Sequence, residues 1–266
     1  MIKFTSIGDC CVDVYPQFNQ AFLGGSAFNV CLAAQKLKVK ATLISAVGTD
    51  NWGKKYLLAN IDSQFISSLP GKTSHVVINL DQNNSPVFSK WQLGALKKFS
   101  LRPKHADFLS TQTAVNCTAI KPLEKILNQF CQVDLPGVFK SADFDGNTPY
   151  SFSVADIPQY LPGLNLTAKS LDPSESDSLN FLKNLAIKNN KMILVTLGSY
   201  GSQVFTKTKT YFQPSIKTKP TDTTGAGDAY LATFIIKYLQ TKDIQKSMFL
   251  ATQAATQKIT RLGASS

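Results

Sequence analysis

The sequence predicts an α/β fold: a central, mainly parallel sheet flanked by helices on both faces, with a small β-lid. Three observations carry that expectation. Short apolar runs of strand length alternate with helical patterns along most of the chain. Two stretches, about 14–23 and 73–91, break the alternation. Near the end, Gly227 to Leu239 is almost wholly apolar, the pattern of a helix buried on all sides.

The elements follow in order. Lys3 to Gly8 reads as the first strand. Ser26 to Leu37 reads as a helix with Ala27, Val30, Cys31, Ala34 and Leu37 on one face. Ala41 to Val47 is a strand and Trp52 to Ile61 a helix. Val76 to Leu80 and Val87 to Trp91 read as two strands around the polar turn Asp81–Ser85. That pair is either a lid over a site or a surface hairpin. Thr113 to Cys117 is a strand and Lys121 to Phe130 a helix. Val138 to Asp143, Leu164 to Ser170 and Met192 to Leu197 are further strands, with a helix from Ser174 to Asn189 before the last. Asp243 to Thr260 is amphipathic and closes the fold. No repeat, low-complexity tract or linker divides the chain, so one domain over 1–266 is expected.

Composition excludes several functions. With 43% hydrophobic residues the chain buries a sizeable core and is not a disordered polymer. The net charge is +11, but the lysines are scattered and no block of five or six like charges forms. A solvated surface is expected, not a nucleic-acid interface. The five cysteines are odd in number, lack a C-x-x-C pair and include the adjacent Cys10 and Cys11. Free, buried thiols in a reducing cytoplasm are expected. Two histidines make a His-rich metal site improbable. The N-terminus opens straight into a strand and does not read as a signal peptide. No apolar stretch reaches the roughly 20 residues that span a bilayer.

Chemistry concentrates at the glycines. Gly48 to Lys55 approaches a Walker A loop but ends in Lys55, where a magnesium-binding hydroxyl should stand. The segment Asp222-Thr223-Thr224-Gly225-Ala226-Gly227-Asp228 is stronger. Small residues lead into the apolar helix, so unpaired N–H groups would face outward at the positive end of its dipole. That is a site for anions, and Gly225 and Gly227 let a phosphate come close. Asp228 beside such a hole either accepts a proton from an attacking hydroxyl or only complements the dipole. Gly24-Gly25 opens the earlier helix. Asn29 follows too late for a cap, a place that suits Ser26 better, and its amide suits ligand hydroxyls. Asp9 and Asp13 lie just past the first strand, where open α/β sheets bind ligands. They are either sugar-gripping carboxylates or solvated turn residues. Thr196-Leu197-Gly198-Ser199-Tyr200-Gly201, at another strand end, is a turn or a surface for a nucleotide.

Together and in this order, these segments resemble the ribokinase-like (PfkB-type) carbohydrate kinases over nearly the whole chain. Gly24-Gly25-x-x-x-Asn29 is similar to the family's first signature and Asp222–Asp228 to its second. The resemblance implies a ribokinase-like fold, ATP, a divalent cation (usually Mg2+) and a sugar under the lid. It implies Asp228 as catalytic base and Gly225, Ala226 and Gly227 as the anion hole. Asp9, Asp13, Gly24, Gly25 and Asn29 match sugar-binding positions. Thr196, Gly198, Gly201, Gln253 and Gly263 match nucleotide-binding ones. The family's Asn-x-x-Glu element lacks its asparagine, leaving Glu175 as the counterpart on the metal side. The run Ile7 to Gln17, with Ala21 to Gly25, is similar to fructoselysine 6-kinases, which implies a fructosamine phosphorylated at a terminal hydroxyl. Alternatives are a kinase of the same fold acting on ribose, fructose, a sugar phosphate or a nucleoside, or a non-catalytic sugar sensor. Lid-mediated homodimers occur in the family.

Overall fold

The computed structural model describes residues 1–146 and 148–265. Its strands are β1 (Lys3–Ile7), β2 (Cys11–Tyr15), β3 (Gln20–Gly24), β4 (Lys40–Gly48), β5 (Asp62–Leu69), β6 (Ser74–Leu80), β7 (Pro86–Gln92), β8 (Ala114–Thr118), β9 (Phe139–Asp143), β10 (Leu166–Ser170), β11 (Met192–Thr196), β12 (Ser202–Phe205) and β13 (Thr210–Gln213). Its helices are α1 (Ser26–Lys36), α2 (Asn51–Leu57), α3 (Pro103–Leu109), α4 (Glu124–Gln132), α5 (Ser176–Asn189), α6 (Ala226–Thr241) and α7 (Ile244–Lys258).

Nine strands form the main sheet in the order β13-β12-β11-β10-β9-β8-β1-β4-β5. From β5 to β11 every pairing is parallel, and β12 and β13 add an antiparallel edge. The parallel strands are covered on both faces, so they are buried almost throughout, including polar residues such as Thr5, Asn116, Ser141 and Thr167. In β4 every residue from Ala41 to Gly48 is buried. Successive side chains still part company: Leu43 joins the core under α1, α6 and α7 with Phe28, Phe234 and Met248. Ile44 joins the opposite core with Leu127, Phe130 and Leu182 of α4 and α5.

A smaller sheet, β3-β2-β6-β7, stands apart from the main one. It pairs β2 antiparallel to β3, β2 parallel to β6 and β6 antiparallel to β7. Two carboxylates, one half-buried and one fully buried, tie it to the larger body. Asp50 caps α2 by accepting from the Gly53 amide at 2.9 Å, and also accepts from the Thr73 amide and hydroxyl at 2.9 and 2.6 Å. The near-Walker segment is therefore a joint between the sheets. Asp222, fully buried, accepts from Tyr15 Oη at 3.0 Å and the Gly263 amide at 2.8 Å. It also accepts from the Thr224 amide and hydroxyl at 2.8 and 2.6 Å.

Several expected boundaries are corrected. The helix expected to Ile61 ends at Leu57, and Asp62–Leu69 is a strand. Its polar residues suit an edge position, where apolar alternation is lost. Cys11–Tyr15 is a strand too, so Asp13 sits within β2 and not in a turn after β1. The helix expected from Lys121 opens as a 3-10 turn, Lys121–Leu123, before α4. The expectation omits α3, β12 and β13, which are short. Ser26 is the first residue of α1, not its cap.

The Tyr15 hydroxyl is buried and bonds both Asp222 and Thr224. Tyr15→Phe should therefore cost about 1–3 kcal/mol, the scale of leaving buried partners unsatisfied. Urea unfolding checks this, and an unchanged midpoint would show that the contact does not hold the small sheet.

Candidate active site

The carboxyl ends of β1, β8 and β9 meet the N-termini of α1 and α6 under the small sheet. A cavity of about 390 Å³ opens there. In a parallel sheet this is where ligands bind, because helix N-termini and loops converge at that edge.

Asp228 stands in the first turn of α6. Ser26 Oγ donates to its Oδ1 at 2.8 Å, and Asn29 Nδ2 donates to its Oδ2 at 2.9 Å. The first turn of α1 thus aims the carboxylate. Burial pushes the Asp228 pKa well above the usual range; the Asn29 bond opposes the shift and the Asp143 charge adds to it.

Asp9 faces the same cavity, but its oxygens accept from the Ser26 and Ala27 amides at 3.2 Å each. It caps α1 across the sequence, because Gly25, at φ 96°, has no side chain to do so. Asp13 is buried against Gly24, where any Cβ would overlap its carboxylate. The Gly24 backbone exchanges hydrogen bonds with Tyr56 Oη at 2.9 Å and does not line the cavity. Burial raises the Asp13 pKa well above normal, helped by the charges of Asp9 and Asp228.

Among the described residues, three buried polar atoms of cavity-lining side chains have no hydrogen-bond partner: Asp13 Oδ2, Asn29 Oδ1 and Thr118 Oγ1. Buried polar atoms are ordinarily bonded. Orphans on one cavity wall therefore fit a ligand rich in hydroxyls.

Gly225 and Gly227 line the cavity, while Ala226 between them does not. Gly225 adopts φ 79° as the N-cap of α6. A Cβ on Gly227 would meet open space, so the first turn of α6 is accessible. The Ala226 amide, expected in the anion hole, is taken up by the Thr223 carbonyl at 3.1 Å, and the Gly227 and Asp228 amides, which lack intrahelical acceptors, suit a phosphate.

The sequence reading missed several residues here. Asp143 and Asp145 line the cavity beside Asp228. Burial, then the Asp145 charge, lifts the Asp143 pKa to about 7. Asp143 ends a parallel strand whose span was legible, so its place at the ligand edge was available as a signal. Val76, Phe88 and Trp91 of the small sheet, with Ile120 and Tyr150, form the apolar wall. Trp91 and Tyr150 meet edge-on at 4.9 Å, and the Trp91 amide donates to Tyr150 Oη at 3.2 Å. No local pattern marks Tyr150.

The residues matched to a nucleotide scatter more. Thr196 ends β11, bonds Ser170 Oγ at 2.7 Å and lines a narrow cleft with Lys169 and Gly227. Gly198 is open, at φ 55°. Gly201, at φ 107°, closes a turn where a Cβ would overlap the Gln213 carbonyl. Gly263 bonds Asp222 and packs on Phe22. Gln253 is exposed on α7. Glu175 lies outside both hollows, accepting from the Asp172 amide at 2.9 Å and Ser178 Oγ at 3.4 Å. Among the described residues, no cluster of three or more His, Cys, Asp or Glu side chains is arranged to hold a metal. A magnesium ion here fits only as part of a metal–nucleotide complex, held largely by phosphate oxygens and water.

Comparison with known proteins agrees with this geometry. The model of the pfkB family carbohydrate kinases matches residues 9–134 and 163–266. A fructoselysine 6-kinase of Shigella flexneri is 26% identical over 99% of this chain and 100% of its own length. A nucleoside kinase of Methanocaldococcus jannaschii is 28% identical over 96% of this chain and 90% of its own. The crystal structure of a nucleoside kinase from that organism superposes with a TM-score of 0.80, covering 100% of this chain and 94% of the other at 24% identity. An uncharacterized sugar kinase of Pyrococcus horikoshii, solved in complex with ATP, gives 0.77 over 98% and 93% at 20% identity. The ribokinase-like fold, the family match and the open helix terminus beside a half-buried carboxylate lead to one assignment: the chain belongs to the pfkB family of carbohydrate kinases and is a phosphotransferase.

Proposed function

We propose that this kinase transfers the γ-phosphate of ATP to a terminal hydroxyl of a fructosamine, a sugar joined to an amino acid through an amine. One observation carries the choice of acceptor. Asp9, Asp13, Asp143, Asp145 and Asp228 line the cavity, and no Lys or Arg among the described residues lines it. The chain as a whole carries +11. A neutral sugar gains little from that local negative field, whereas a protonated amine gains directly. The fructoselysine 6-kinase and fructosamine kinase relatives support the same reading. A nucleoside is the second reading, favoured by Phe88, Trp91 and Tyr150, which offer aromatic faces to a base.

In the proposed reaction Asp228 accepts the proton of the attacking hydroxyl. Ser26 and Asn29 hold its carboxylate by one bond to each oxygen, which fixes its orientation and leaves each oxygen a further lone pair. Asp13 and the free Asn29 Oδ1 accept from acceptor hydroxyls and fix their angle of approach. The Gly225 and Gly227 amides donate to the charge on the transferring group, while the Ala226 amide is held by the Thr223 carbonyl. The negative charge of the nucleotide phosphates would be offset by magnesium bound together with the nucleotide. Lys169 stays behind the wall, its Nζ donating to the Phe144, Gly146 and Phe152 carbonyls at 3.1–3.2 Å, and so shapes the loop that bears Asp145. We place this chemistry in the cytoplasm, in keeping with five free cysteines.

The deciding experiment offers fructoselysine, fructose, ribose and a nucleoside with ATP and measures ADP formed. The highest kcat/KM is expected with fructoselysine. A higher value with a nucleoside would replace this reading with the second.

Two further outcomes test the mechanism. Asp228→Asn should retain the wild-type Tm and acceptor affinity yet lose roughly 10²-fold or more in kcat; near-normal turnover would remove Asp228 as base. The second concerns pH. The base must be ionised, and both burial and the Asp143 charge disfavour ionisation. Activity should therefore rise with pH along a limb lying above the ordinary aspartate range. Asp143→Asn removes a like charge, so the limb should move to lower pH. A limb that stays in place in the kcat/KM profile would show that another group sets it.

A further inference from the structure

The tip of the β6–β7 hairpin reaches the loop that precedes α6. The Asn84 carbonyl accepts from the Thr223 amide at 3.1 Å. The Asn84 side chain donates from Nδ2 to the Pro220 carbonyl at 3.1 Å. Two bonds in opposite senses thus join one turn residue to both ends of a four-residue segment. That segment continues into Gly225, and the Ala226 amide donates to the Thr223 carbonyl at 3.1 Å. The position of the Thr223 peptide therefore sets where the first turn of α6 begins.

The tip is itself rigid. Asp81 Oδ1 accepts from the Asn83 and Ser85 amides at 2.8 Å each, and the Asn84 amide donates to the Asp81 carbonyl at 3.0 Å. Asn84 sits at φ 58°, which asparagine tolerates better than other residues with a side chain. Neither the proposed transfer nor the acceptor contacts use this residue.

We propose that Asn84 is a positioning residue for the transferred phosphate: through Thr223 and Pro220 it holds the Gly225–Gly227 turn in register with the cavity. Strands β6 and β7, which carry this tip, also wall the acceptor side through Val76, Phe88 and Trp91. The same hairpin touches the acceptor and sets the phosphate loop. The proposal rests on reading that turn as an anion hole but not on which acceptor is used.

The test is titration calorimetry with magnesium and two nucleotides, the β,γ-imido analogue of ATP and ADP. Asn84→Gly keeps the positive φ and the carbonyl and removes only the amide. Asn84→Asp replaces the donor with an acceptor. Both should weaken the triphosphate analogue about 5-fold, the scale of one hydrogen bond, and leave ADP within twofold. A general loss of structure would weaken the two nucleotides alike. Asn83→Ala, in the same turn but without the loop contacts, should change neither. Equal weakening of both nucleotides, no weakening of either, or the same selective loss in Asn83→Ala would overturn the proposal. If Asn84→Asp does not fold, Asn84→Gly carries the test alone. Gly227→Ala separates the underlying reading, since its Cβ would project into open space at the first turn. If that variant keeps full affinity for the analogue, the anion hole falls and the role of Asn84 with it. If it loses affinity while the Asn84 variants do not, only Asn84 is overturned.

Discussion

The buried carboxylate of Asp222 is the constraint on which the rest of the site depends. Four donors from three parts of the chain converge on it: Tyr15 of the small sheet, the Thr224 amide and hydroxyl of the glycine loop, and the Gly263 amide of the tail. A fully buried carboxylate is tolerated only when its lone pairs are taken up. Each donor is therefore held in place by the others' need for the same acceptor. The small sheet cannot swing away without uncovering Asp222, and the loop cannot shift without abandoning it. Gly225 then packs on Ala264, so the tail closes the loop from behind.

A second feature is how α1 is started. Gly25 occupies the N-cap at a positive φ that suits a residue without a side chain, and so brings no capping oxygen. Asp9 supplies it from the end of β1. This frees Ser26 and Asn29, one turn apart on α1, to bond the two oxygens of Asp228. Two helix starts thus face one another across the cavity, one stabilised by a carboxylate and the other presenting one. One N–H of the Asn29 amide is committed to Asp228, and its carbonyl oxygen, unpartnered among the described residues, is the acceptor it offers to a ligand hydroxyl.

Much of this was legible in the sequence, and the limits are physical. The parallel strands β4 and β11 announce themselves as largely apolar runs, while β1, β8, β9 and β10 are legible as short runs of apolar and small residues between helical patterns. Strand β5 hid itself for the opposite reason: at the sheet edge its Ser63, Gln64, Ser67 and Ser68 stay partly or fully exposed. The roles within the glycine-rich motifs were separable only in part. Gly225 and Gly227 do line the cavity, but Gly24 and Gly201 are glycine because a carboxylate and a carbonyl crowd them. Asp9 and Asp13 read alike in sequence, as acidic residues near a strand end. In three dimensions one caps a helix and the other keeps an oxygen free. Trp91 and Tyr150 lie 59 positions apart. Their contact depends on how a loop after β9 folds back under a hairpin, which no local pattern encodes.

Charge distribution links the fold to its chemistry. Placing five carboxylates around one cavity is unfavourable while all are ionised, and burial adds to that cost, which raises the pKa of Asp9, Asp13, Asp143 and Asp228. The empty cavity therefore binds protons that an ordinary aspartate would release. A cationic acceptor reverses the balance, because its charge favours ionised neighbours within a few ångströms. In the proposed reaction, occupancy by the right acceptor would itself lower the pKa of Asp228 and ready the base. A neutral sugar of the same shape would sit in the same hydroxyl contacts without that effect. Discrimination would then lie in kcat as much as in binding, since the acceptor's own charge helps set the protonation state of the group that activates it.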